Sequence, residues 1–318
     1  MQETISPAAT ELPEIRTRTD VPFTIINLVT TVAPLVLVFY YHSRSSIVAF
    51  FVCYVVFGLG LTVGYHRLFS HAAFRVPKWL EHTIAICGYL AIQRGPLFWV
   101  AMHRLHHKYV DIPGKDPHTP KEGLWHVHFG WTHERRSDVW DPMIYRLLVP
   151  DLLDDKLYRF MDYEATDYAA YVLLNLAAFL AGGALGLPGA FDTHNAICFL
   201  VWVGMLNRVA LLHAFGFINS VCHLVGSRPF RTKEGDQSTN NLLVSLLIFG
   251  EGWHNNHHAF PGSARQGLRW YQIDPSWYVI YLLEKLGLAR SVRRVSPRVQ
   301  ERKLRIYNGN DAAVREPH

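Results

Sequence analysis

The stretch "IVAFFVCYVVFGLGLTVGYHRLFSH" (residues 47–71) decides the fold. Residues 47–65 carry no charge, and a run of about 20 apolar residues is long enough for a helix to cross the hydrocarbon core of a bilayer. Two histidines, His66 and His71, follow directly. The stretch therefore predicts a membrane-spanning helix that ends in polar side chains at one membrane surface.

Three further apolar runs, residues 23–41, 168–187 and 195–218, have a similar length. A cleaved signal peptide is the alternative for the first run, but residues 1–21 are acidic and contain proline, whereas a signal begins with a basic segment. The sequence therefore predicts an all-α integral membrane protein with four transmembrane helices and a helical cap.

The positive charges indicate how the protein is oriented. Residues 66–166 carry 13 lysines and arginines and residues 219–318 carry 14, whereas the short connections after the first and third runs carry one and none. The side of a membrane protein that is rich in Lys and Arg is usually the cytoplasmic side. We therefore expect the N-terminus, the long middle region and the C-terminal region to face the cytoplasm.

The chain is interpreted as one membrane domain, residues 22–290, between an N-terminal tail (1–21) and a basic C-terminal tail (291–318). The C-terminal charges are not interleaved with aromatic residues as they are in many nucleic-acid-binding segments. No nucleic-acid partner is expected.

Residues 83–102 form another apolar stretch, which Arg94, Gly95 and Pro96 interrupt. Proline breaks a helix in its interior, so this stretch predicts two helices joined by a turn rather than a fifth span. Residues 141–162 and 277–288 are predicted to be helical as well.

Histidines cluster in three motifs: "HRLFSH" (66–71), "HRLHH" (103–107) and "HNNHH" (254–258). Positions i, i+3 and i+4 of a helix share one face, so each HxxHH motif places three imidazoles together, as metal ligation requires. Nine isolated histidines are predicted to be ordinary surface or core residues. They are His42, His82, His118, His126, His128, His133, His194, His213 and His318.

The number of clustered histidines favours a dinuclear metal site. Zinc usually takes four ligands, and two tetrahedral zinc sites would leave no open position for chemistry. Imidazole also suits iron. The residues alone leave both metals open, with iron favoured.

In their order and context, "HRLFSH", "HRLHH" and "GEGWHNNHH" resemble the three histidine boxes of the membrane fatty-acid desaturases of the stearoyl type. The motifs "GYHRLFSH", "DPHTP", "HFGW" and "FINSVCH" extend the similarity over roughly residues 50–290. The resemblance implies two irons. One would be held by His66, His71, His103, His107 and His258, and the other by His106, His223, His254 and His257, with Asn219 holding a water on the second iron.

The resemblance also implies the reaction: oxygen-dependent formation of a cis double bond, at the delta-9 position, in a long saturated acyl chain. Two electrons would come from a separate donor, a ferredoxin or a b5-type cytochrome. The stretches "QRGPLFWVAMHRLHH" and "STNN" resemble bacterial and cyanobacterial members. We therefore expect a multi-pass protein of a bacterial inner membrane with its active site on the cytoplasmic side.

The acyl carrier is left open between CoA and a membrane lipid. Arg135 and Arg136 match a basic pair that meets CoA phosphates in animal members, and Arg94 takes the place of an Asn of that substrate site. However, Ala101 and Met102 stand where those members carry an Arg-Asp pair that contacts CoA.

Four polar residues outside the histidine motifs are candidates for supporting roles. Asn207 and Arg208 lie in the fourth apolar run, where an ionisable group is costly, and are expected near the site or in helix packing. Asp116 and Glu251 are expected to accept hydrogen bonds from ligand imidazoles, with a turn cap as the alternative for Asp116.

Two other functions are weighed against desaturation. A related histidine-box membrane oxygenase would hydroxylate an alkyl chain with similar metal chemistry. A zinc-binding membrane receptor or transporter would need polar residues through several spans, and these occur only in the fourth run.

Overall fold

The structure is a computed structural model that describes residues 17–19, 21–136 and 146–304. Within these residues the fold is helical apart from one two-stranded antiparallel ribbon. Strand β1 (Thr17–Thr19) pairs with strand β2 (Glu134–Arg136) in this ribbon. Residues 17–19 of the predicted N-terminal tail are thus paired with the middle region of the chain.

Three helices are long and apolar enough to cross a membrane: α2 (Arg44–Ser70), α7 (Glu164–Gly186) and α8 (Thr193–His223). They contain most of the predicted runs 47–65, 168–187 and 195–218. The first predicted run is represented by α1 (Val21–Leu37), a helix of 17 residues. At about 1.5 Å per residue it is about 25 Å long, shorter than the roughly 30 Å of a bilayer core.

Both long helices that carry metal-site histidines contain π-helical turns. The last part of α2, Gly60–Ser70, is a π-helix, and so is Leu200–Leu206 within α8. Such turns are rare and are frequent at functional sites. Gly60 also allows close packing, because a Cβ there would lie 2.2 Å from the backbone nitrogen of Gly88 in the next helix.

The predicted break in residues 83–102 is present. Helix α3 (Lys78–Tyr89) ends before the break, and α4 (Pro96–Tyr109) begins after it with proline in its first turn. Arg94 in the connecting turn has a positive φ of 74°. Helix α4 carries the "HRLHH" motif toward the end of α2.

The remaining helices are short, and together with α3 and α4 we call them the cap. They are α5 (Leu124–His128), α6 (Lys156–Met161), α9 (Leu242–Leu247), α10 (His254–Ala259), α11 (Pro275–Lys285) and α12 (Pro297–Lys303). Helix α11 is the one predicted at 277–288. Of the stretch predicted at 141–162, residues 141–145 lie outside the described residues.

A hydrophobic core joins the cap to the ends of the long helices. Its fully buried members come from both parts of the fold: Leu61, Tyr65, Leu105, Leu211, Ile248 and Ile280. This core packs the ends of α2 and α8 against α4, α9 and α11. Of the predicted C-terminal tail, residues 297–303 form α12 and residues 305–318 lie outside the described residues.

Candidate metal centre

Nine histidines from α2, α4, α8, α10 and the residue after α2 converge at the junction of the cap and the long helices. They form two groups, and within each group the ligand nitrogen atoms lie within 4.8 Å of one another. The first group consists of His66, His71, His103, His107 and His257. The second consists of His106, His223, His254 and His258. The same nine histidines were predicted as ligands from the sequence.

The nitrogen atoms of the first group are spaced as ligands of one metal would be. The Nε2 atom of His257 lies 3.1 Å from that of His66 and 2.8 Å from that of His107. The Nε2 atoms of His71 and His103 are 2.7 Å apart. Two nitrogens that each lie about 2.1 Å from a metal at a right angle are about 3 Å apart. The imidazoles therefore fit a metal ion.

The second group shows a similar spacing. The Nε2 atoms of His223 and His254 are 3.0 Å apart, and those of His106 and His258 are 3.4 Å apart. His223 lies at the end of α8 and is buried. It completes a set of four imidazoles from three helices, so the second group also fits a metal ion.

The structure exchanges the expected assignments of His257 and His258. His257 lies in the first group and His258 in the second, so the grouping differs from the expected division at these two positions. Helix geometry gives the reason, because residues i and i+4 differ in direction by about 40° and residues i and i+3 by about 60°. His254 and His258 therefore point together, with ring centroids 4.4 Å apart, and His257 points to the other group.

In helix α4 the residues at positions i and i+4 also share a group, but here it is the first group and not the second. His103 and His107, at positions i and i+4, share the first group, while His106 joins the second. Each HxxHH motif thus contributes two ligands to one group and one ligand to the other. The two groups are therefore linked through both helices.

Buried carboxylates orient four of the imidazoles through the Nδ1 atom. Asp116 accepts from His106 at 2.9 Å, Asp111 from His223 at 3.0 Å and Asp236 from His258 at 3.0 Å, and Glu251 pairs with His66. A hydrogen bond from Nδ1–H fixes the tautomer that leaves the Nε2 lone pair for a metal. This arrangement is typical of metal-binding histidines.

Asp116 and Glu251 make the expected contacts with imidazoles. Asp116 also accepts from the backbone N–H groups of Asp111 and His118, so the turn cap that was its alternative is present as well. Asp111 and Asp236 were missed in the sequence. Asp111 follows the "HRLHH" motif by four residues, and Asp236 lies in the loop segment "KEGDQ". Neither position belongs to a histidine motif. Folding alone brings them next to His223 and His258.

Burial keeps most of the nine metal-site histidines in the neutral form that binds metals. Desolvation, reinforced by neighbouring imidazoles, lowers the pKa of six of them well below the ordinary value of histidine. These are His71, His103, His107, His254, His257 and His258. Burial opposes ionisation of Asp116, but the adjacent His106 outweighs it and lowers the pKa of Asp116.

Glu251 also belongs to a buried ion network with Arg67 and Asp274. The Arg67 guanidinium donates to Glu251 at 3.0 Å and to Asp274 at 2.9 Å, and to the carbonyl of Ala264 at 2.8 Å. Arg67 is 1% exposed. Because it directly follows His66 in the sequence, this arginine anchors both the ligand and the ligand's carboxylate partner.

A cavity lies between α1, α4, α7 and α8 and reaches the histidines; its volume, counted together with the open solvent at its mouth, is about 1480 Å³. His66, His103, His106 and His254 line its inner end. Apolar side chains line its middle: Phe98, Trp99, Met102, Leu212 and Phe215. Trp99 stacks on His103 with ring centroids 5.4 Å apart. An apolar chain can therefore bind in this cavity beside the two histidine groups.

Of the three arginines predicted to bind substrate, Arg94 lines the cavity and Arg135 and Arg136 lie in strand β2. Arg94 lines the cavity and pairs with Asp167 at 3.5 Å, and Asn219 lines the same cavity. The backbone of Arg135 and Arg136 forms β2, but their side chains lie outside what the structure describes.

The two polar residues expected near the site or in helix packing have separate positions. The Asn207 amide donates to the carbonyl of Phe50 in α2 at 3.0 Å, so it acts in helix packing. Arg208 lines the cavity far from the histidines. Neither residue contacts a metal-site imidazole through a described hydrogen bond.

His118 and His128 were expected to be ordinary residues, but both line the cavity. His118 lies with His106 and Asp116 in a group that could hold a metal ion, and burial lowers its pKa to about 3. His128 shares a hydrogen bond of 3.0 Å with His213. The isolated position of these residues in the sequence gave no sign of this.

We expect Asp116→Asn to weaken metal binding by about 10- to 100-fold, the usual cost of altering a partner of a ligating histidine. Asparagine keeps the shape of the side chain but removes the charge that holds His106. The measurement is competition of the purified variant with a chelator of known affinity. Glu122→Gln, at an exposed carboxylate outside the two groups, is the control. An affinity equal to that of the wild type would contradict the role of Asp116.

The fold and the site together define a helical membrane protein in which two adjacent histidine groups that could hold metal ions face an apolar cavity. Residues 45–288 match the family model described as fatty acid desaturase. The chain therefore belongs to the fatty acid desaturase family, as its histidine motifs predicted.

Curated relatives agree with this family. The chain is 39% identical over 267 residues to "Delta-9 acyl-lipid desaturase 2" of Arabidopsis thaliana, covering 84% of this chain and 80% of the relative. It is 36% identical over 291 residues to "sn-2 palmitoyl-lipid 9-desaturase" of Nostoc sp. (strain 36), covering 91% and 94%. It is 39% identical over 278 residues to "Acyl-CoA C20 Delta5-desaturase" of Anemone leveillei, covering 86% and 82%. The protein is an oxidoreductase that desaturates fatty acyl chains.

Proposed function

We propose that the protein introduces a cis double bond at the delta-9 position of a long saturated acyl chain, using two irons, molecular oxygen and an external electron donor. The observation that carries the proposal is the contact between two histidine groups and one end of an apolar cavity. The delta-9 position is supported by relatives with that specificity in their names.

The ligand sets favour iron over zinc. Five imidazoles in the first group exceed the four ligands that zinc usually takes, and imidazole is a common ligand of iron. His66, His71, His103, His107 and His257 would hold one iron, and His106, His223, His254 and His258 the other. Asn219 lines the cavity in the same part of α8 as His223, where it can hold a water. When bound, the two irons would supply the oxidant that removes hydrogen from two adjacent methylenes.

The chain's own residues position the substrate and exclude water. Trp99 and Met102 on α4 line the cavity together with Phe215 on α8, and the rings of Trp99 and Phe215 pack edge to face with centroids 6.1 Å apart. An acyl chain that lies along these side chains is beside His103 and His106. Fixing the reacting methylenes close to the oxidant supplies a large part of the rate enhancement in such reactions. The apolar wall replaces solvent around the reacting carbons.

The electron donor is proposed to be a ferredoxin or a b5-type cytochrome. A second cleft reaches His71, His107 and His258 from outside the acyl cavity, and Arg104 and Lys233 line it. These ligands are buried or half-buried, Asp236 also lines the cleft and Arg104 pairs with Asp151. The lysine and arginine at the mouth of the cleft favour approach of an acidic protein.

The proposed topology has four spans, with α1 as the shortest, and places the cap in the cytoplasm of a bacterial cell, at its inner membrane. The excess of Lys and Arg in residues 66–166 and 219–318 supports this orientation.

Expression in a host that lacks its own delta-9 desaturase tests the proposed function. Gas chromatography and mass spectrometry of the host's fatty acids should show a new monounsaturated chain with the double bond at carbon 9. Accumulation of a hydroxylated chain without a monounsaturated one would instead favour the related membrane hydroxylases. A double bond at another carbon would reject only the delta-9 position.

A further inference from the structure

The end of the cavity that lies away from the histidines is charged. Arg208 on α8 lines it, together with Asn27 and Thr30 on α1 and Tyr171 on α7. Residues 208 and 223 are 15 positions apart on one helix, so at about 1.5 Å per residue the arginine lies about 22 Å along the axis from the His223 ligand. The apolar tail of an acyl chain does not need a cation at this place.

The partners of Arg208 are neutral. Its guanidinium donates to the Oδ1 atom of Asn27 and to Thr30 at 3.3 Å, and it lies 5.7 Å from the centre of the Tyr171 ring. Among the described residues, no carboxylate lies within ion-pair distance of it. A cation within a membrane span is costly and usually marks a functional site. A guanidinium in this position can still bind an oxygen of a ligand.

The position of Arg208 shows from which side such a ligand arrives. Asn27 and Tyr171 lie six and seven residues from the first residues of α1 and α7, which corresponds to about 10 Å of helix. Helices α1 and α7 both pack against the π-helical part of α8. In the proposed topology both helices begin at the cytoplasmic face, which puts the charged end in the inner leaflet.

We propose that this charged end binds the ester and headgroup oxygens of a membrane glycerolipid, so that the substrate is an acyl chain esterified in a lipid and not in CoA. Arg208 is the central contact, and the Arg94–Asp167 pair lies along the same wall. The inference rests on the proposed function and adds the carrier of the acyl chain to it. Met102 lines the cavity and the neighbouring Ala101 is buried, so neither of these uncharged side chains supplies a cation there.

The experiment uses the full-length protein, loaded with iron and embedded in nanodiscs of dioleoyl phosphatidylcholine, with a chemical reductant or the donor protein. Three deuterated stearoyl substrates are compared: distearoyl phosphatidylglycerol, distearoyl monogalactosyldiacylglycerol and stearoyl-CoA. Mass spectrometry measures the deuterated monounsaturated product on each carrier. We expect product on one or both lipids and little on CoA. The two lipids distinguish a phosphate from an uncharged headgroup as the preferred ligand.

Arg208→Gln should raise the KM for the lipid by about 10- to 100-fold, as expected for loss of hydrogen bonds from a charged group, with a smaller change in kcat. Arg208→Lys, which keeps the positive charge, should raise the KM for the lipid less than Arg208→Gln does. Arg298→Gln, at an exposed arginine of α12, is the matched control and should not change the KM.

Asn27→Asp separates ligand binding from a structural role of the arginine. The new carboxylate would pair with Arg208 and satisfy its charge within the fold, but it would compete with the lipid and raise its KM. Thermal unfolding and iron content of each variant are measured in parallel. If Arg208→Gln does not fold, Asn27→Asp alone decides the question.

Two results would overturn the lipid carrier while leaving the desaturase intact: conversion of stearoyl-CoA without product on either lipid, or an unchanged lipid KM in both Arg208→Gln and Asn27→Asp. Absence of a double bond from all three carriers would reject the proposed function and this inference together.

Discussion

His257→Ala is expected to abolish desaturation and to remove metal from the first histidine group. The Nε2 atom of His257 lies within 3.1 Å of those of both His66 and His107, so it contacts ligands from two different helices. Loss of an outer partner of a ligand already costs about 10- to 100-fold, and loss of the ligand itself should cost more than about 100-fold in activity. The measurement is the yield of monounsaturated fatty acid in the expressing host, with iron content of the purified variant.

His42→Ala is the matched control for this substitution. His42 is an exposed histidine in the turn after α1 and belongs to neither histidine group. We expect it to retain the product yield and the iron content of the wild type. Retained desaturation in His257→Ala would refute the assignment of this residue as a ligand.

Arg67→Met is expected to destabilise the protein more than any single substitution outside the two histidine groups. The guanidinium of Arg67 lies between the carboxylates of Glu251 and Asp274, and all three side chains are at most 2% exposed. Removing one partner from a buried ion network leaves uncompensated charge and costs about 3–5 kcal/mol of unfolding free energy. The apolar methionine fills similar space but donates no hydrogen bond to either carboxylate.

Thermal unfolding of the purified protein in detergent measures this effect. Arg269→Met, which removes an exposed arginine of the cap, is the control and should unfold at the temperature of the wild type. Because Glu251 pairs with His66, Arg67→Met should also lower iron content. An unfolding temperature equal to that of Arg269→Met would show that the network does not stabilise the fold.

The metal-site histidines on α4 and α10 could be predicted because helical periodicity is local. The spacing of "HRLHH" and "HNNHH" alone places three imidazoles on one face of each helix. The division between His257 and His258 could not be obtained in this way. It depends on how α10 is rotated relative to α2 and α4, which tertiary packing determines.

The carboxylates that accept hydrogen bonds from the histidines also depend on tertiary packing and could not be found from local sequence. Asp111 and Asp236 are far from their partners His223 and His258 in sequence, and nothing in their local pattern distinguishes them from loop carboxylates. The break at Arg94–Pro96 was predicted correctly because proline and glycine act on the local backbone. The pairing of β1 with β2 joins segments more than a hundred residues apart, and strands of three residues carry no usable periodicity.

The cavity also comes from the packing of separate helices. Its apolar wall combines Trp99 of α4 with Phe215 of α8, and its charged end combines Arg208 with Asn27 of α1. From the sequence, Arg208 was expected near the metal site or in helix packing, because an arginine in an apolar run indicates a function but not a position. The structure puts it at the opposite end of the cavity from the metal ligands.

In the proposed site, nine histidines hold two irons at the inner end of an acyl cavity. The most direct measurement is the metal content of the full-length protein, reconstituted anaerobically with ferrous iron in the presence of equimolar zinc and freed of unbound metal. We predict about two irons for each chain and little zinc. Zinc in place of iron, or one metal for each chain, would contradict the claim.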